Sequence, residues 1–307
     1  MLRQYSHEEI AEIIENQLAS WPLARKNYDA LSSVERRSVD VGGFDFYLQF
    51  NPARIVSTGA SVDKSNLAAR PCFLCAANRP KEQTALEIFP GWELLVNPYP
   101  IFPVHFTIAS VSHQPQAFLP KEIVEIALLL PGMAVFFNGA KAGASAPDHL
   151  HMQAVLKDEL PLIRLVEKKH PESVSAVLPS DAFLPGFPFL FFSGVVEPGE
   201  KGMKALMAGL YMGGSSSGES FTDHELVNTF FWLGEGGKLR FIAIPRKAHR
   251  PACYSADGPE RRMVSPGCVD MASLLILPRK EDYDNITPLE IARIYEEVAF
   301  KPRRYEK

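Results

Sequence analysis

Four cysteines in 307 residues are too few for a disulfide framework. The chain has no apolar run approaching the roughly 18 residues that a membrane-crossing helix needs. Its opening residues, Met1-Leu2-Arg3-Gln4-Tyr5-Ser6-His7-Glu8-Glu9, lack the apolar core of a signal peptide. An excess of one charge is missing too. Thirty-two Lys and Arg stand against 36 Asp and Glu, for a net charge of −4 and a pI near 6.1. That balance excludes a broad nucleic-acid surface and confines any phosphate binding to a local patch. A soluble cytoplasmic protein is expected, with neither nucleic acid nor membrane as partner. What is present, 46% hydrophobic and 22% charged residues, is ample for a core, and the length permits one large domain or two.

The stretch that organises the chain is Asp148-His149-Leu150-His151-Met152-Gln153. It follows a small-residue run from Gly139 to Pro147 and leads into Ala154-Val155-Leu156. If residues 149–156 form a strand, side chains alternate between its faces. His149, His151 and Gln153 then share one face, and Leu150, Met152 and Ala154 the other. Two imidazoles and an amide backed by an apolar face suit a polar site on a rigid strand better than a core.

Pro71-Cys72-Phe73-Leu74-Cys75 is the second feature. Cys-x2-Cys lets two thiolates reach one metal from a tight turn. A redox pair is the competing reading, but no thioredoxin-like βαβ pattern follows it. Arg54, after the strand Phe44–Phe50 and the turn Asn51-Pro52, is either a phosphate contact, since a guanidinium grips phosphate oxygens bidentately, or a surface arginine.

His-hydrophobic-His-hydrophobic-Gln resembles the signature of the transferase and phosphorylase branch of the histidine-triad superfamily. That branch holds galactose-1-phosphate uridylyltransferases, diadenosine tetraphosphate phosphorylases and GDP-hexose phosphorylases. Phe137-Asn138-Gly139-Ala140 through Gly143-Ala144-Ser145 resembles the family's phosphate-side loop, and His149–Ala154 is most similar to the GDP-hexose phosphorylase version. The triad hydrolases usually carry a third His where this chain has Gln153. Cys-Phe-Leu-Cys resembles the zinc motif of the uridylyltransferases, and their Ser-Pro-x-Arg element resembles the segment that ends at Arg54.

The resemblance implies a zinc site of Cys72, Cys75, His113 and His149. Four protein ligands leave no open position, so that zinc would be structural. It implies His151 as the nucleophile on a nucleotide α-phosphate, with a covalent nucleotidyl intermediate and ping-pong kinetics. Gln153 would donate an amide N–H to a phosphate oxygen without shuttling a proton. Ser145 and Asn138 would add neutral donors, with Gly139 and Gly143 in the substrate loop.

The expected fold is α+β: two histidine-triad-like repeats with mainly antiparallel sheet and flanking helices. Residues 1–157 would carry the zinc site and the catalytic motif. Residues 158–307 would lack the motif and shape the substrate pocket. An internal echo supports the repeats. Phe106–Pro115 and Phe241–Pro251 are both short apolar strands followed by His-x-Pro.

Periodicity predicts helices over 7–20 (Ile10, Ile13, Ile14, Leu18), 120–130, 199–212 and 287–300. Strands are expected at 44–50, 91–96, 104–109, 135–137 and 187–192, and at 226–233 and 239–244 around a Gly-rich hairpin, 234–238. Gly213–Gly218 reads as a flexible loop. His105 reads as a structural neighbour. Arg246, Lys247 and His249 read as a basic surface turn, with substrate contact the alternative.

The expected activity is that of a nucleotidyltransferase or phosphorylase acting on a nucleoside diphosphate-sugar, of the GDP-hexose type by resemblance in Leu150–Ala154 and Lys280-Glu281-Asp282-Tyr283. Inorganic phosphate or a sugar phosphate would be the acceptor. Diadenosine tetraphosphate phosphorolysis, uridylyl transfer and non-catalytic nucleotide binding are the alternatives. A homodimer is expected by the same resemblance.

Overall fold

The structure is a computed structural model that describes residues 3–59, 70–170, 177–196 and 224–302. Twelve strands are seen among these residues: β1 (Glu35–Val41), β2 (Phe44–Phe50), β3 (Ala85–Phe89), β4 (Trp92–Val96), β5 (His105–Ser110), β6 (Met133–Asn138), β7 (His151–Leu156), β8 (Leu178–Pro179), β9 (Phe192–Val196), β10 (Val227–Leu233), β11 (Leu239–Pro245) and β12 (Leu274–Leu277). Nine form one sheet in the order β3-β4-β5-β7-β6-β10-β11-β9-β8, and every pairing in it is antiparallel. Strands from before and after residue 157 meet where β6 pairs with β10. The other three form a small sheet, β1-β2-β12, in which β12 runs parallel to β2. Helices flank both sheets, so the α+β expectation holds.

Alternation along the strands sorts the core into two layers. On β6, Ala134 and Phe136 enter one layer, and Met133, Val135 and Phe137 the other. The second layer is roofed by α1 (His7–Ser20), α2 (Pro22–Asp29) and α3 (Pro120–Leu129), which contribute Ile10, Ile14, Trp21, Ile123 and Ile126. The first is closed by the small sheet and by α4 (Pro161–Lys169) and α7 (Pro288–Val298). Short helices α5 (Cys268–Met271) and α6 (Lys280–Asn285) flank β12.

Local chemistry explains the helix ends. Ser6 caps α1 and Glu9 answers it, a reciprocal box repeated by Thr287 and Glu290 at α7. Pro22, Pro120, Pro161 and Pro288 each open a helix where a missing N–H costs nothing. The expected hairpin around 234–238 is present, with Leu233 facing Leu239.

One expected strand is displaced. Phe187–Phe191 is not paired as a strand, and β9 begins at Phe192. Pro188 offers no N–H for a ladder. Phe187, Phe189 and Phe191 are buried together, with Phe187 edge-on to both neighbours. The Ser180 hydroxyl serves the local backbone instead, donating to Phe189 O and accepting from Phe191 N. The helix expected over 199–212 and the loop Gly213–Gly218 lie outside the described residues. Among the described residues no helix is long and apolar enough to cross a membrane.

The loop between β6 and β7 touches the loop before α5 backbone to backbone. Gly143 has φ +94°, and a Cβ there would stand 2.5 Å from Gly267 Cα and 2.8 Å from Pro266 O. Neither neighbour is a flexible side chain. Gly143→Ala is expected to cost about 1–3 kcal/mol through overpacking and strain, read as a lowered urea midpoint; an unchanged midpoint would show that the two loops can separate freely.

Candidate functional site

β7 sits between β5 and β6, paired on both edges. Its even-numbered residues, with Leu150 just before it, fill the helix-roofed layer: Leu150, Met152 and Ala154 are all buried there. The odd-numbered residues take the opposite face, as alternation requires. His149 lies two residues before the strand.

His149 faces the cysteine turn. Its Nε2–H donates to Ser110 O at 2.8 Å, which fixes the tautomer and leaves the Nδ1 lone pair free. Nδ1 stands 3.2 Å from Cys72 Sγ, 3.5 Å from Cys75 Sγ and 3.3 Å from His113 Nδ1, and His113 Nδ1 is 3.2 Å from Cys75 Sγ. All four ligand atoms lie within 4.8 Å of one another. Tetrahedral zinc with Zn–N near 2.05 Å has an N–N edge of about 3.3 Å, and mixed N–S edges of about 3.6 Å. The convergence of two sulfurs and two imidazole nitrogens therefore fits that metal. Arg70 pairs with Asp148 at 2.8 Å, tying the cysteine turn to the loop before His149.

His151 is 3% exposed. Its Nδ1–H donates to His149 O at 2.8 Å, so the Nε2 lone pair is the one left over, and it makes no hydrogen bond among the described residues. Burial pushes the ring down to about 4. Backbone pairing is incomplete where β6 and β7 splay, and Gln116 replaces it. Its Oε1 accepts from His151 N at 2.9 Å while its Nε2 donates to His151 O and Asn138 O.

A cleft, partly open to solvent, lies beside this strand. Of the residues expected at the site, Arg54, Asn138, Gly143, Ser145 and Gln153 line it; Gly139 and the His151 ring do not. Two amides on its wall have their oxygens already engaged. Asn138 Oδ1 accepts from Cys268 N at 2.7 Å and Asn228 Nδ2 at 2.9 Å. Gln153 Oε1 lies 2.9 Å from His105 Nε2. Neither amide nitrogen donates a hydrogen bond among the described residues.

The second half supplies the far wall, including His249, Arg250, Ser265 and Asp270. The basic surface turn expected at 246–249 is corrected here. Arg246 is 2% exposed and makes five hydrogen bonds, to Val298 O, Asn228 Oδ1, Pro266 O, Ala248 O and His249 O. The turn is held from inside by its own guanidinium, which turns His249 toward the cleft. Burial pushes Arg54 down to about 10, where it stays charged, and raises Asp270 to about 6. Gln116, Asn228 and Asp270 carried no sequence signal. Their partners lie up to 90 positions away or are backbone atoms.

By its fold this chain is similar to solved structures of a phosphorylase. Yeast Ap4A phosphorylase Apa2 in complex with Ap4A matches with a TM-score of 0.61 at 15% identity, over 98% of this chain and 99% of that one. The same yeast enzyme without ligand gives 0.60 at 14%, over 91% and 97%, and with AMP 0.57 at 14%, over 95% and 99%. At such identities the likeness concerns the fold. A family model described as a domain of unknown function, DUF4922, matches residues 13–156. No curated protein matches.

Two measurements follow. The four-residue metal set predicts about one zinc per chain in protein purified without chelator, lost in Cys75→Ser together with thermal stability; metal-free wild-type protein of equal stability would exclude it. The second concerns acid. Burial lowers His105 to about 3 and His249 to about 4, from an ordinary 6.5. Between pH 6.5 and 4 the unfolded chain binds protons that the folded chain refuses. Stability should therefore fall with falling pH, by up to about 1.4 kcal/mol per pH unit per ring. Urea unfolding at pH 7 and pH 5 measures this, and His249→Gln should flatten the dependence; an identical slope in that variant would contradict it.

Proposed function

We propose that this protein is a nucleotide phosphorylase that transfers a nucleotidyl group to inorganic phosphate through His151. The observation that carries the reading is the fixed tautomer of that ring: Nδ1–H is committed to His149 O, so the nucleophilic lone pair is on Nε2. The ring does not line the cleft, so the reading requires that Nε2 be exposed when substrate binds. Nε2 then attacks the α-phosphorus, the bond from phosphorus to the bridging oxygen breaks, and the electron pair leaves with the departing phosphate. A phosphate oxygen then attacks the same phosphorus, the P–N bond breaks, and the lone pair returns to Nε2. The ring carries a positive charge only as the covalent intermediate, and the His149 carbonyl faces that charge.

The remaining groups have supporting roles. Leaving and entering groups are both phosphates, which need no general acid. The amides of Asn138 and Gln153 and the hydroxyl of Ser145 donate to the non-bridging oxygens. Arg54 adds a permanent charge beside them. Cys72, Cys75, His113 and His149 would hold zinc, which in a closed four-ligand site supplies rigidity to the start of β7.

The likeness to a structure with Ap4A bound supports a dinucleoside polyphosphate as substrate. The GDP-hexose reading keeps the support of Leu150–Ala154. Its second support is weaker, because Lys280–Tyr283 forms the first turn of α6, pairs with Glu35 and Asp284, and does not line the cleft.

A phosphorolysis screen over dinucleoside polyphosphates and GDP-, UDP- and ADP-sugars tests the activity. The His151 peptide should carry a nucleotidyl mass when substrate is supplied without phosphate. His151→Ala should lower turnover by about 10⁴-fold or more, and Gln153→Ala by about 100-fold. Undiminished turnover by His151→Ala would remove the mechanism, and nucleotide binding with neither turnover nor adduct would leave a binding protein.

A further inference from the structure

The amide of Gln153 could in principle present either end to the cleft, and its value as a phosphate donor depends on which. The answer lies one strand away. His105 opens β5 and is fully buried. Its Nδ1 accepts from Ile101 N at 3.1 Å, so that nitrogen carries no proton. The single proton of the neutral ring is therefore on Nε2, and its acceptor is Gln153 Oε1 at 2.9 Å. Asn97 Nδ2 approaches the same nitrogen at 3.4 Å, but that amide is oriented by Tyr99 N on its oxygen and donates to Thr107 Oγ1. A flipped Gln153 would set its NH2 against the His105 N–H, donor against donor, inside a buried site.

We propose that His105 is a positioning residue: through the chain Ile101 N–H, His105 and Gln153 it locks the Gln153 amide with its NH2 facing the cleft. The inference rests on the reading that Gln153 meets a phosphoryl oxygen. It makes this point of the wall donor-only, complementary to an anionic oxygen and mismatched to a ligand hydroxyl that must donate. Burial and the nearby Arg54 charge hold the ring neutral, and the Gln153 hydrogen bond opposes them only in part. The lock thus persists across the working pH range.

Two measurements decide it. Long-range proton–nitrogen spectra of wild-type protein labelled in histidine should show His105 as the Nε2–H tautomer, unchanged from pH 5.5 to 9; an Nδ1–H tautomer or titration in that range would overturn the proposal. This readout does not need turnover, so it stands even if no nucleotide proves to be a substrate. The second is a double-mutant cycle. His105→Phe should lower kcat/KM about tenfold, the worth of one well-made hydrogen bond, and His105→Gln, which can accept from Ile101 N and donate to Gln153, should recover most of the loss. In a Gln153→Ala background His105→Phe should cost less than about twofold. Equal losses in both backgrounds would mean that His105 only supports the fold, and the proposal would fail.

Discussion

The double pairing of β7 is the constraint on which the site depends. With β5 on one edge, β6 along Gln153–Leu156 on the other and Gln116 at His151, its backbone is held against sliding. The period of two then couples the two faces rigidly. Leu150 and Met152 are each 1% exposed in the helix-roofed layer, and burying such side chains stabilises by about 1.5–3 kcal/mol apiece. A one-residue slip would drive those side chains into the polar face and two histidines into the apolar layer. Hydrophobic burial on one side of the strand therefore sets the positions of His149, His151 and Gln153 on the other.

The second half completes what the strand begins, through polar contacts that replace packing. Arg246 satisfies all its donors on the turn 248–249, Pro266, Val298 and Asn228. A buried guanidinium with mostly neutral acceptors contributes little stability compared with an apolar side chain of the same size. What it supplies is direction. It holds Asn228 Oδ1, which leaves Asn228 Nδ2 to meet Asn138 Oδ1 and Ala142 O. Asn138 is thereby turned with its nitrogen outward, as Gln153 is by His105. Two amides on neighbouring strands of the cleft wall reach the same orientation through unrelated networks.

How much of this was legible in the sequence depended on whether the signal was local. The alternation of Leu150, Met152 and Ala154 against His149, His151 and Gln153 is a period-two pattern, and it survived intact. So did the meeting of Cys72, Cys75, His113 and His149, whose ligand atoms lie within 4.8 Å of one another. The failures share a cause. Phe187–Phe192 is an apolar run whose composition suits a strand or an irregular core segment equally; Pro188, with no N–H, and the Ser180 hydroxyl outside the run decide between them. Gln116 is one unremarked glutamine until its amide is seen to stand in for missing strand pairing. The basic turn was misread because a cationic triplet after a strand carries no sign of which cation faces inward.

The choice of an amide at 153 follows from the same geometry. His105 presents a fixed N–H, so the side chain at 153 must offer it an acceptor. The proposed phosphoryl oxygen in the cleft would require that the other end of that side chain be a donor. A carboxylate meets the first demand and repels the phosphate. A neutral imidazole meets both, but it exchanges its donor and acceptor ends with tautomer and gains a charge on protonation. Glutamine meets both at every pH. Where neither leaving group nor nucleophile needs a proton, a side chain that cannot supply one loses nothing, and its constancy becomes the reason for its place.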